Sequence, residues 1–354
     1  MNRRVDAWLV GWLAAALWVL ILLGHRAGLT LPADAVTTLF WVGATVSAAH
    51  FGLSYHLAYG TSGTNAATRR FALWWFPVTL AVGLLAFALA VRFTTSEAVE
   101  ARVAGALISS VFLLTGWHYV KQTYGIGRVS LALADVSITR REANTLRYGL
   151  YPLWIFNAAQ LLTATRFFDG YEIGFRLLPP ASLELLRIAA VGAAIPIVVV
   201  FAQLASRRRV PGVLLASYVA SVLWFAFPVN AFATTIALPA LHALQYLAIG
   251  HRAEIGLAQT KGQRITTHWW LNIFVGVTAG ALLASRWLPG LIDRQLDPTA
   301  PLLAAACFFV FLNLHHYLLD ATIWKSGGSL VRAVVARPGM TEAPGVTQGP
   351  LTVP

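Results

Sequence analysis

The stretch Leu302–Lys325, LLAAACFFVFLNLHHYLLDATIWK, decides how the chain is read. Up to Leu314 its only polar side chain is Asn313. A bilayer core about 30 Å thick takes roughly 20 apolar helical residues, and residues 300–323 supply that length. The run ends in Trp324–Lys325, an aromatic and a cation, as spans do at a membrane–water border. Yet it also holds His315, His316 and Asp320. Ionisable groups are costly in lipid, so inside a span they face the bundle interior.

The same reading extends to the rest of the chain. Of 354 residues 58% are hydrophobic and 11% charged. A soluble domain has about 25% charged residues. The sequence thus predicts an all-α, polytopic transmembrane helical bundle of ten spans: 7–24, 35–59, 71–92, 101–124, 146–163, 183–205, 213–229, 231–250, 268–288 and 300–323. Pro228–Val229–Asn230 is all that separates the seventh from the eighth, which read equally as a re-entrant pair. Gly52, Gly116 and Pro239 mark kinks or close helix contacts. No removable signal peptide stands before the first span. With ten spans and a cytoplasmic N-terminus, 18 of the 26 Lys and Arg fall on the inner side and every inner loop is basic. Both termini are expected in the cytoplasm of a bacterial inner membrane. Residues 1–337 form one transmembrane domain, and 338–354, rich in Pro, Gly and Thr, form a disordered cytoplasmic tail. The net charge of +12 is explained by this topology, without nucleic acid. Cys307 stands alone, which excludes an intrachain disulfide and a thiolate cluster.

Nine histidines are unremarkable in number, but their depth is informative. His118, His242 and His315 each lie ten residues before a cation, at Arg128, Arg252 and Lys325. His50 lies ten residues before Gly60, where its apolar run ends. Ten residues of helix rise about 15 Å. All four helices are even-numbered and run from outside to inside. Their imidazoles therefore stand at one level and are expected to converge on one centre. Residues four apart share a helix face, which adds Asp320 to His316 and Gln122 to His118. Gln245 joins His242 at a spacing of three. His56 reaches the same centre if its helix bends at Gly52. The candidate ligands are His50, His56, His118, His242, His315 and His316, with Asp320 as carboxylate. Gln122, Gln245, Tyr55, Tyr124 and Tyr246 are the second rank of catalytic or substrate-facing candidates. His25, His251 and His268 read as interfacial.

So many imidazoles with one carboxylate exceed a tetrahedral zinc and suit two iron ions with positions open for dioxygen. Zinc, copper or haem b are the alternatives. This predicts an enzyme that desaturates, hydroxylates or cleaves a lipophilic substrate held in the bilayer, with a cytoplasmic electron donor. A b-type haem electron carrier and a transporter with a histidine proton relay are the competing readings. The segments Asn313–Lys325 and Trp117–Gly125 resemble those of uncharacterised bacterial multi-pass membrane proteins with an HHYxxDxxIWK-like run. In broad character the chain also resembles membrane histidine-rich di-iron desaturases, hydroxylases and alkane monooxygenases, through His315–His316. A second, looser comparison is with the membrane carotene-cleaving oxygenases. The resemblance implies non-haem iron oxidation chemistry.

Overall fold

The computed structural model describes residues 3–60, 66–94, 96–163, 166–168, 171–173, 178–207, 210–229, 233–263, 267–283, 287–296, 303–325 and 328–335. The tail 338–354 and Asn230 lie outside the described residues. The architecture is helical. In chain order it comprises α1 (Val5–Arg26), α2 (Ala33–Gly60), α3 (Ala66–Phe93), α4 (Glu97–Leu133), α5 (Arg140–Tyr148) and α6 (Tyr151–Thr163). After a short hairpin follow α7 (Pro180–Arg207), α8 (Gly212–Ala226), α9 (Leu238–Thr260), α10 (Thr267–Leu282), α11 (Leu288–Leu296), α12 (Leu303–Ile323) and α13 (Ser329–Val335). The hairpin pairs β1 (Arg166–Phe168) antiparallel with β2 (Tyr171–Ile173), between the fifth and sixth of the segments expected to span.

Helix lies over each of the ten segments read from the sequence. Among the described residues six helices are long and apolar enough to cross a membrane: α1, α2, α3, the Arg102–Leu133 part of α4, α7 and α12. The others depart from the simple span for visible reasons. The fifth segment is interrupted at Gly149–Leu150, and α6 has 13 residues, about 20 Å of helix. Helices α8 and α10, with 15 and 16 residues, are also shorter than a bilayer core. Helix α9 has 23 residues but carries His242, Gln245, His251, Arg252 and Glu254.

Small residues set the closest helix contacts. A Cβ at Gly52 would collide with Val277 of α10, and one at Gly116 would lie 2.5 Å from Trp154 of α6. These two glycines thus mark close approaches. On α9, Gly250 abuts Leu53 of α2, and Gly256 meets the backbone of Ala333 on α13. One buried cluster joins α1, α4, α6, α7, α8 and α9 around Trp18, Trp224 and Tyr218. A second joins α2, α3, α4, α9, α12 and α13 around Leu57, Tyr246 and Leu319.

Contacts along the helices fix their relative direction. His50 meets His316 and, one turn on, Ser54 meets Asp320, so α2 and α12 run parallel. Gly43, His50, Leu53 and His56 face Ile236, Tyr246, Gly250 and Glu254 in ascending order, so α2 and α9 run parallel as well.

Candidate metal centre

Three imidazoles and one carboxylate meet where α2, α4 and α12 pack together. His316 Nε2 lies 2.9 Å from His50 Nε2 and 3.2 Å from His118 Nε2. Asp320 Oδ2 lies 3.5 Å from His316 Nε2 and 3.6 Å from His118 Nε2. One ligand atom from each of the four falls within 4.8 Å of every other. The residues are between 1% and 7% exposed, so bulk water does not reach the centre freely.

The donor set fits a cation. Nitrogen or oxygen atoms about 2.05 Å from a tetrahedral ion stand about 3.3 Å apart, in the range of the contacts observed. Three ring nitrogens and a carboxylate oxygen converge on one point, where a shared proton or a positive charge must offset the repulsion between lone pairs. Burying Asp320 without such compensation is unfavourable. The group can therefore hold a metal ion.

The carboxylate is oriented by its other oxygen. Ser54 Oγ donates to Asp320 Oδ1 at 3.0 Å, and the Tyr246 hydroxyl donates to the same atom at 3.1 Å. Trp324 Nε1 donates to the Tyr246 hydroxyl oxygen at 3.2 Å, fixing the direction of the phenolic proton. Oδ2 is thereby turned to the histidines. Such outer partners set ligand geometry in metal sites. Aromatic rings wall the centre: Tyr246 at 4.2 Å from the His50 ring, Phe51 at 4.7 Å from His316, and Tyr317 stacked at 4.6 Å on His118. The Tyr317 hydroxyl is tied to Asn313 and Thr115.

The remaining candidates take other places. His242 is at the edge of the cluster, its ring 5.0 Å from that of His118 and 5.1 Å from that of His50. His315 points away. Its Nε2 donates to the Ala72 carbonyl at 3.0 Å, within a π-turn of α3 (Phe71–Trp75), and its Nδ1 accepts from Tyr55 at 2.8 Å. With both nitrogens engaged it has no lone pair for a metal. Adjacent residues diverge by about 100° on a helix, so His315 and His316 serve different faces. His56 pairs with Glu254 at 3.1 Å, two turns from the centre. Tyr124 packs against the first buried cluster, away from the histidines. Gln122 donates to the His242 carbonyl at 3.2 Å, and Gln245 is fully buried. His25 is exposed at the end of α1, His251 is half-buried, and the side chain of His268 lies outside the described residues. Among the described residues one ligand group of this kind forms.

Sequence reasoning passed over Ser54, Tyr119, Tyr317 and Trp324. A regularity would have exposed the first: the residue four after each central histidine is polar, namely Ser54, Gln122, Tyr246 and Asp320. No family model, curated protein or solved structure matches the chain.

Proposed function

We propose that the chain is a membrane metalloenzyme that binds one iron ion at His50, His118, His316 and Asp320 and uses dioxygen to oxidise a lipophilic substrate. The observation that carries this reading is the convergence of four donor atoms within 4.8 Å inside a bundle of apolar helices. Mixed imidazole and carboxylate donors suit iron, and a six-coordinate ion would keep two positions beyond the four protein ligands. Bound iron would supply the redox chemistry with dioxygen. The protein's own part is to hold and shield it. The three imidazoles and Asp320 would hold the ion, while Ser54 and Tyr246 occupy Asp320 Oδ1 and leave Oδ2 turned to the histidines. Phe51 and Tyr317 exclude water and offer an apolar wall to the substrate.

The topology belongs to the same proposal. Ten passages, with both termini on the cytoplasmic side of a bacterial inner membrane, would make every inner loop basic. The parallel course of α2, α9 and α12 agrees with that assignment, since all three are even-numbered passages. The reaction draws reducing equivalents from an acidic cytoplasmic electron donor that docks on the basic inner loops.

Metal analysis of the detergent-purified chain after iron supplementation tests the first step. The expected content is about one iron per chain, lost in His316→Ala and His118→Ala. Metal below about half an equivalent, with uptake of a solute into liposomes that depends on pH, would replace this reading with a histidine proton relay. Stoichiometric zinc in place of iron would replace it with a closed tetrahedral site.

A further inference from the structure

Beside the metal centre lies a second set of buried polar side chains that the four ligands do not use. His242 is 3% exposed, its ring 3.9 Å from that of Tyr119, and neither of its nitrogens has a hydrogen-bond partner among the described residues. Gln245, on the next turn of α9, is 1% exposed, and both its amide oxygen and its amide nitrogen are without a partner there. Gln122 of α4 spends its Nε2 on the His242 carbonyl, and its Oε1 is buried and unpartnered. Native interiors rarely leave one such atom unsatisfied, and here five fall on three neighbouring side chains.

The chemistry of the set defines what it receives. Gln245 offers two N–H donors and an acceptor, neutral imidazole offers one of each, and Gln122 offers an acceptor. None of the three carries a formal charge in this form. A carboxylate guest would bring a charge that no cationic side chain of the set balances, and an ether or ketone would bring no donor to the acceptors. A hydroxyl both donates and accepts. We infer that His242, Gln245 and Gln122 form a subsite for the hydroxyl group of an otherwise apolar molecule. The site thereby takes a long-chain alcohol, with its polar end about one ring's width from the metal ligands. This rests on the proposed lipophilic substrate. Water offers the same O–H chemistry, so the test must separate the two sources.

The full, iron-supplemented chain in lipid nanodiscs is exposed to three diazirine probes of one chain length: a long-chain alcohol, its methyl ether and the alkane. Cross-links are mapped by mass spectrometry, and metal is measured on the same samples. The expected result is labelling of the α4 and α9 peptides by the alcohol about tenfold above the alkane, competed by unlabelled alcohol, with the ether in between. Gln245→Leu and Gln122→Met remove the preference and retain wild-type metal content. Equal labelling by alcohol and alkane overturns the inference and leaves water alone in the subsite. A preference that survives both substitutions overturns it too. If the variants do not fold, the three-probe comparison on the wild type decides. Metal present with no alcohol preference defeats only the subsite. An alcohol preference without metal defeats only the proposed enzyme.

Discussion

Replacing Tyr246 by Phe removes one hydroxyl and leaves the ring that packs 4.2 Å from His50. The hydroxyl is one of two donors to Asp320 Oδ1, the other being Ser54 Oγ. A hydrogen bond to a charged group contributes about 1.5–3 kcal/mol, and 1.4 kcal/mol is tenfold in an equilibrium constant. Tyr246→Phe should therefore weaken metal binding about 10–100-fold, as outer-shell losses in metal sites do. Ser54→Ala should act similarly. The double variant leaves Oδ1 buried with neither donor, so its loss should exceed the sum of the single losses. Competition against a chromophoric chelator, with cobalt or zinc as the probe ion, measures each affinity. Trp324 Nε1 also loses its acceptor in Tyr246→Phe, so thermal midpoints of the metal-free chains must be recorded to separate folding from binding. Affinity within twofold of wild type in Tyr246→Phe, and strict additivity in the pair, would refute the assignment of Tyr246 and Ser54 as orienting groups for a ligating carboxylate.

His315→Ala should keep the metal while lowering stability by about 2–4 kcal/mol, because Tyr55 and the Ala72 carbonyl lose their partner; metal analysis beside thermal melts contrasts it with His316→Ala, which should lose the ion. Gly256→Ala should destabilise by about 1–3 kcal/mol by driving α13 off α9 and breaking the Arg252 to Val334 carbonyl bond of 3.1 Å, whereas Gly125→Ala, with open space around it, should be neutral or stabilising in the same melts. Outside the spans, Glu142 caps α5, accepting from the Thr139 backbone and side chain and pairing with Arg207. Burial alone would raise its carboxyl, but the Thr139 and Arg207 bonds outweigh it and hold the group below the ordinary 4.5. Its stabilisation is complete above that value and fades as pH falls through the lowered one; melts from pH 7 to 3 should show wild type converging on Glu142→Gln at the acid end, and a constant gap between them would contradict the assignment.

Much of this protein is written in local composition. Apolar runs broken by short basic loops require helices in lipid, since every backbone polar group there must be satisfied within the helix. The equal spacing of His118, His242 and His315 from the cations that follow them sets a common depth independently of packing. What periodicity along one helix cannot supply is the rotation of that helix against its neighbours. On α12 that rotation turns His316 to the centre and His315 to Tyr55 and the Ala72 carbonyl, which lies in a π-turn. It also gave His56 to Glu254 and left His242 beside the ligands. Depth follows from how far a residue lies along its own chain, and sequence records that distance; partnership depends on side-chain packing between helices far apart in sequence, and only the tertiary structure decides it.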